Sequence, residues 1–286
     1  MGIGAQSPYW RRALFGLFAS TYFRRTCRTD DGVFAAYVSP GSSLKFLDLR
    51  LSLVDRVHQR FIRDWIEPDA IVWDVGSNLG LFALPAALKA RRGRVFAFEP
   101  DVDLAANLLR SLRLKRNKDL QVSVLGVAVS NVDATAYFQI SKFSRAMSKL
   151  EGAGKWNDKK VISEERRPVV TMRIDSLSQT LASPTVIKID VEGAEAMVLE
   201  GGEATIVKCR PTILVETPEE LCRPLQSFFE KHEYVMLDGA AADQAPLREP
   251  VWDTVAVPKE KFFKRKALLA SQSELHDSLQ LTEPQH

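Results

Sequence analysis

From residue 70 onward, short apolar runs alternate with amphipathic stretches. AIVWDVG is a continuous apolar run ending in Asp74 and Gly76, and the helical pattern of LFALPAALKAR follows it. RVFAFEP and DVDLAANLLRSLRLK repeat the arrangement. VSVLGVAVS is a third run, TVIKIDVEG a fourth and PTILVETP a fifth; each leads to a helix, except that the third is followed by further β-like sequence. Strands that are apolar on both faces and separated by helices predict a parallel sheet covered on both sides. YVMLD and DTVAVP come last with only a loop between them. Without a crossover helix, they are expected to pair antiparallel.

Upstream the rhythm differs. Residues 32–47, GVFAAYVSPGSSLKFL, predict two short strands around a turn at Ser39–Ser43. Leu53, Val57, Phe61 and Trp65 recur every four positions and predict a helix over 52–66. The first 29 residues carry five arginines and no acid around YWRRALFGLFASTYFRR, the pattern of a basic amphipathic helix. Its apolar centre, Ala13 to Ala19, is too short to span a bilayer. A helix packed on the domain fits it, and so does peripheral attachment of residues 9–25 to an anionic membrane. The expected organisation is a basic segment over 1–30 and packing elements over 31–69. The main α/β domain then spans 70–258, with an insertion at about 141–167, and a tail spans 259–286. The insertion holds eight Lys or Arg against four acids, with Phe143, Met147 and Trp156 interspersed, and reads equally as a solvated loop or a substrate lid. The tail predicts a short, fraying helix.

Composition adds little to this picture. A chain of 286 residues that is 45% hydrophobic and 26% charged suits one large soluble domain or two small ones. A net charge of +3 points to no nucleic-acid partner by itself. Three cysteines without metal-ligand spacing argue against a disulfide framework or zinc site, so a reducing cytoplasm is the expected location, with the inner face of a membrane as the peripheral alternative.

WDVGSNLG, residues 73–80, is the first candidate site. Gly76 lets the chain turn sharply off its strand, and Gly80 lets the next helix begin close beneath a ligand. The spacing D-x-G-x-x-x-G lacks the middle glycine of the dinucleotide pattern, which disfavours an NAD-dependent oxidoreductase. Asp74 ahead of the turn suits a ligand bearing an ammonium group, as the methionine end of S-adenosylmethionine does. Ser77 and Asn78 complete the turn. Glu99 ends the second strand 23 residues after Gly76, where a carboxylate accepts hydrogen bonds from both ribose hydroxyls. Val127 and Ala128, near the end of the third strand, leave room for an adenine.

The fourth strand runs into a turn crowded with Asp190, Glu192 and Glu195 around Gly193. Ligands of open α/β sheets lie outside the carboxyl ends of the strands, so Asp190 and Glu216 should face the crevice of Gly76 and Glu99. Three roles fit the cluster. Glu195 complements the dipole of the helix it begins. Asp190 or Glu192 serves as a general base, their mutual repulsion raising one pKa while Lys188 on the same face opposes it. Alternatively, Asp190 and Glu216 hold a magnesium ion, although no third ligand is evident.

Together VWDVGSNLG, VFAFEPD, the AVS ending the third strand, RIDSL at 173–177, IKIDVEGAEAMVLEGG and PTILVETP resemble the FkbM family of S-adenosylmethionine-dependent methyltransferases. The motifs run in family order from about residue 70 to residue 218, about half the chain. Ser77 stands where the family usually has Ala and Leu79 where Ile is common, while the glycines and the acid remain. The resemblance implies an α/β fold with a Rossmann-like class I methyltransferase sheet, mostly parallel with a C-terminal antiparallel strand pair and helices on both faces. It implies O-methylation of a hydroxyl on a sugar, glycan, glycolipid or polyketide-type small molecule. Asp74, Gly76, Gly80 and Glu99 would bind the cofactor, with Asp190 and Glu192 near the transferred methyl. Two alternatives stand beside it. An RNA methyltransferase is suggested by RSLRLKRNK at 110–118 and the basic insertion, and a non-catalytic cofactor-binding or membrane-associated protein would bind cofactor without turnover.

Overall fold

The computed structural model describes residues 21–40, 46, 48, 52–141, 148–153 and 163–280. Strands β1 (Phe23–Thr29) and β2 (Gly32–Val38) form an antiparallel pair, and helix α1 (Arg56–Trp65) follows. The alternating part opens with β3 (Ile71–Val75), α2 (Ala83–Lys89), β4 (Arg94–Phe98), α3 (Val102–Leu112) and β5 (Val122–Leu125). A small second sheet interrupts it, built from β6 (Ala128–Val129), β7 (Ala134–Ser141), β8 (Lys149–Leu150) and β9 (Ser163–Met172). Alternation resumes with α4 (Ile174–Leu177), β10 (Val186–Ile189), α5 (Glu195–Glu200), α6 (Glu203–Cys209), β11 (Thr212–Glu216) and α7 (Cys222–Lys231). Strands β12 (Tyr234–Asp238) and β13 (Asp253–Pro258) and helix α8 (Lys259–Gln280) end the described chain.

The seven-stranded sheet has the order β12-β13-β11-β10-β3-β4-β5. β11, β10, β3, β4 and β5 are parallel, and β13 runs antiparallel to both β11 and β12. This is the mostly parallel sheet with an antiparallel C-terminal pair that the apolar rhythm predicts.

Strand periodicity divides the core into two layers and decides which face carries charge. Trp73, Val75, Phe96, Phe98, Ile187, Ile189, Ile213 and Val215 point to one side, into the layer covered by α5, α6 and α7. Trp73 is fully buried there and its indole N–H donates to the Ala182 carbonyl at 3.0 Å, so burying the ring strands no donor. Val72, Val95, Ala97, Val186 and Leu214 point to the other side, beneath β2, α1, α2 and α3. Asp74 follows Val72 on that second face, Lys188 follows Val186, and Glu216 follows Leu214. The register pairs Lys188 with Asp74 and Asp253 with Glu216. The sequence therefore places a short charged layer at the carboxyl end of an otherwise apolar face.

Several elements differ from expectation. Phe23 to Arg25, expected at the end of a basic helix, lie in strand β1, where Arg25 and Cys27 alternate inward and Arg24, Thr26 and Arg28 outward. That period of two was masked by the aromatic spacing upstream. Arg25 is buried and its guanidinium donates to the carbonyls of Phe46 and Asp48. Residues 9–20 of that segment lie outside the described residues. β2 pairs backward with β1 instead of forward across Ser39–Ser43, a turn that also falls largely outside the description. The third apolar run breaks at Gly126 into β5 and β6, which belong to different sheets, and β5 is a half-buried edge strand. The helix expected over 52–66 begins at Arg56 because Asp55 caps it, accepting from the His58 N–H at 2.8 Å. The described part of the 141–167 insertion carries the end of β7, β8 and the start of β9, with a turn at 151–153 and with 142–147 and 154–162 outside the description. The tail forms a 22-residue helix anchored by buried Phe262, longer than its sequence suggests. Among the described residues no helix is long and apolar enough to cross a membrane.

Candidate functional site

The glycine turn after β3 is built on close backbone approach. Gly76 has φ +80°, and a Cβ there would lie 1.9 Å from the Asp190 carbonyl oxygen. Only glycine lets β3 and β10 end this close together. The N–H groups of Gly76 and Ser77 both reach the Phe98 carbonyl at 3.0 Å, which ties the turn to β4. Asn78 is left-handed at φ 49°, and a Cβ on Gly80, at φ +76°, would meet Leu108 of α3 at 2.2 Å. The turn is thus held against both neighbouring strand ends and the next helix.

Glu99 sits beside it. Its carboxylate accepts from the Asn78 N–H at 2.7 Å and from the Asp101 N–H at 2.8 Å, one bond per oxygen. Each oxygen keeps a lone pair for a ligand hydroxyl. Burial raises the Glu99 pKa to about 7, with the two backbone donors opposing the shift. Asp101, not Glu99, caps α3, through the Asp103 N–H.

A cleft of about 230 Å³ opens between the turn, Glu99 and the second sheet. Val127, Ala128 and Val129 form one wall, Phe138, Ser148 and Leu150 another, and Asp190, Glu192 and Glu216 stand at its end. The insertion therefore contributes to the cleft through Ser148 and Leu150. Arg167 of β9 holds it down, reaching Asp101 at 3.2 Å and Asp103 at 3.0 Å across the start of α3.

A second cavity of about 300 Å³ adjoins the first. The two share Gly76, Asn78, Asp190 and Glu216, and the second is completed by Ser77, Lys188, Phe82, Leu53, Asp55 and His58. Two cavities meeting at one strand end can hold two reactants end to end.

Charge at the junction is organised by Lys188. Its ammonium lies 3.1 Å from Asp190 and 3.5 Å from Asp74, and it donates to the Gly76 carbonyl at 3.0 Å. Burial pulls the Lys188 pKa down, but Asp190 and Asp74 more than offset it, and the net shift is upward. Asp74 is fully buried and burial raises its pKa. It faces Lys188 and lies beneath the turn, lining neither cavity. Burial first, then the Asp190 charge, raises Glu192 and Glu216 each to about 8.

Glu195 turns inward at the start of α5. Its carboxylate accepts from the N–H groups of Val191 and Gly193, so it fastens the turn. Glu192 and Gly193 both have positive φ, 54° and 101°, which swings Glu192 to the first cavity alone. Among the described residues no group of three or more His, Cys, Asp or Glu side chains converges as metal ligands would. Asp190 and Glu216 share the junction, but an ammonium already lies against Asp190, and this donor set does not fit a divalent cation.

Sequence reasoning did not single out His58, Asp55 or Arg167. For the first two a signal was present: Asp55 and His58 stand three apart at the start of a predicted helix, the spacing that puts both side chains on one turn.

The sheet order and a glycine turn at its carboxyl edge define a Rossmann-like methyltransferase fold. The chain matches the methyltransferase FkbM domain over residues 74–236, more than half its length, and belongs to that family. It is 31% identical over 147 residues to the hexuronic acid methyltransferase AglP of Haloferax volcanii, covering 50% of this chain and 54% of that protein. It is 29% identical over 192 residues to the AMB antimetabolite synthetase AmbE of Pseudomonas aeruginosa, covering 55% of this chain and 9% of that one. The chain thus spans about half of the first relative and a small part of the second. Among solved structures, the methyltransferase FkbM from Methylobacillus flagellatus KT superposes with a TM-score of 0.48 at 17% identity, covering 71% of this chain and 48% of that one.

Proposed function

We propose that the protein transfers a methyl group from S-adenosylmethionine to a hydroxyl of a sugar or similar polyhydroxylated small molecule. The observation that carries this reading is the pair of adjoining cavities that meet at Asp190 and Glu216. One is lined by Glu99, Val127 and Ala128, groups that suit a nucleoside, and the other by Lys188, His58 and Asp55, groups that suit a polar acceptor.

The cofactor fits the first cavity. Glu99 offers two lone pairs to ribose hydroxyls, and Val127 and Ala128 flank a flat ring. Ser77, on the second-cavity side of the turn, has a buried hydroxyl without a hydrogen-bond partner among the described residues. When bound, the cofactor supplies an electrophilic methyl on a sulfonium. Asp74 supports the turn through Lys188, and its carboxylate field favours the ammonium of the amino-acid end. Gly76, Asn78 and Gly80 shape the turn that this end lies against. At the junction, Asp190 and Glu216 accept hydrogen bonds from acceptor hydroxyls and hold the attacking oxygen in line. Glu192, on the cofactor side, closes the end of the cleft.

The second cavity favours an uncharged acceptor group. Asp55, Asp190 and Glu216 line it against Lys188 and His58, and Lys188 is already engaged by two carboxylates. An acceptor carboxylate would meet repulsion from Asp55 and Asp190, with Glu216 adding to it only above about pH 8, so methyl transfer to a hydroxyl is favoured over ester formation. The 31% identity to a hexuronic acid methyltransferase supports a sugar as the acceptor class.

The test is incubation with methyl-labelled cofactor and fractionated extract of the source organism. Label that enters glycan, glycolipid or small-molecule fractions and survives mild base, as an ether does and a methyl ester does not, supports the reading. Label confined to RNA, or released as methanol, contradicts it.

A further inference from the structure

His58 lies outside the segment that matches the family, on α1, yet it lines the second cavity together with Asp190 and Glu216. Its ring is fixed from two sides. Nδ1 is 2.8 Å from Asp55 Oδ2, and the ring packs edge-on against Phe82 with centroids 5.3 Å apart. Asp55 is itself locked, because its other oxygen caps α1 by accepting the His58 backbone N–H. The partner on Nδ1 selects the tautomer with its proton there and leaves Nε2 as a lone-pair acceptor. Among the described residues no hydrogen-bond partner faces that Nε2.

The geometry points to His58 as the group that takes the proton from the acceptor hydroxyl, with Asp55 as its positioning residue. This rests on the reading that the second cavity holds the acceptor. Asp190 is already engaged by the Lys188 ammonium at 3.1 Å, whereas His58 is oriented and its Nε2 is uncommitted. In the step, the acceptor oxygen forms a bond to the methyl carbon as the methyl–sulfur bond breaks. The bonding pair stays on sulfur, and the hydroxyl proton passes to Nε2. The resulting imidazolium is stabilised by Asp55 beside it and by the fields of Asp74 from β3 and Asp253 from β13; Asp190 and Glu216 line the same cavity, and Lys188 opposes them. The N-terminal elements would thus contribute chemistry to the domain they pack on.

Two measurements test this together. Long-range nitrogen–proton NMR of the full chain, with the His58 signals assigned by their loss in H58Q, should show the proton on Nδ1. D55N, which retains the helix cap, should shift that tautomer balance toward Nε2. With methyl α-D-glucopyranoside as acceptor probe, H58Q should lose about 10²- to 10⁴-fold in kcat and the acidic limb of its pH profile. D55N should lose less, and both variants should bind S-adenosylmethionine within about twofold of wild type, a window far inside the tenfold that 1.4 kcal/mol represents. A His58 protonated on Nε2 in the wild type, or H58Q with wild-type kcat, overturns the assignment; the tautomer decides it even if that sugar is not methylated. Failure of the wild type to bind S-adenosylmethionine would instead overturn the cofactor reading.

Discussion

The Lys188 ammonium lies 3.1 Å from the Asp190 carboxylate, and it is also the counter-charge for fully buried Asp74. Both interactions follow from strand register, since Lys188 is paired with Asp74 across β10 and β3. Removing the ammonium while keeping Asp74 leaves a buried carboxylate without a partner. Lys188→Met should therefore cost about 3–5 kcal/mol in chemical unfolding. The double variant Asp74→Asn with Lys188→Met should recover part of that loss. Equal stability of Lys188→Met and wild type would show that the pair is not a structural unit.

Gly76 and Gly126 make a matched comparison. A Cβ at Gly76 would sit 1.9 Å from the Asp190 carbonyl at a positive φ, while a Cβ at Gly126 meets nothing within 4 Å. Gly76→Ala should lower the melting temperature sharply and abolish cofactor binding, because β3 and β10 must separate at the site. Gly126→Ala should change stability by no more than about 0.5 kcal/mol. Thermal melts of the two variants side by side check this, and a tolerated Gly76→Ala would contradict the close approach.

Glu192 and Glu216 set a pH dependence of stability. Each has its pKa raised from 4.5 to about 8, so between these values the native state holds protons that the unfolded state has released. Stability from these groups is full below about pH 4.5 and is lost as pH rises toward 8. Glu192→Gln should match wild type at acid pH and gain in relative melting temperature across that window, then level off. A constant difference across pH would mean that Glu192 titrates normally.

Much of this architecture was legible in the sequence, because five two-sided apolar runs can satisfy their burial only as a covered parallel sheet. The glycine turn and Glu99 were legible for the same reason, being fixed to strand ends. Strand β1 was missed because Phe23, Arg25 and Cys27 alternate beneath a stronger aromatic spacing upstream. The three-residue spacing of Asp55 and His58 was visible, but His58 was missed because its place in the second cavity depends on how α1 packs against the charged face, a long-range relationship. The second sheet was half legible: the β-like sequence after the third run was visible, but its role as a wall of the cleft comes from Arg167 reaching across to Asp101 and Asp103.

The raised pKa of Glu99, about 7, bears on ligand affinity. In the proposed complex, ribose hydroxyls would donate to the carboxylate and lose an acceptor when it is protonated. Affinity for S-adenosylmethionine should be level above about pH 8 and weaken as pH falls through 7, whereas Glu99→Gln should be weaker throughout and nearly flat. Calorimetric titrations across pH separate the two curves; parallel curves would remove Glu99 from the ligand.

The most direct measurement is calorimetric titration of S-adenosylmethionine into wild type and Glu99→Ala at pH 8. The wild type should bind, and Glu99→Ala should bind more weakly by about 1–3 kcal/mol, a loss of about 5- to 150-fold in affinity, as charged hydrogen bonds to ribose are removed. Absence of binding by the wild type, or equal affinity in the two proteins, would contradict the assignment of this cleft to the cofactor.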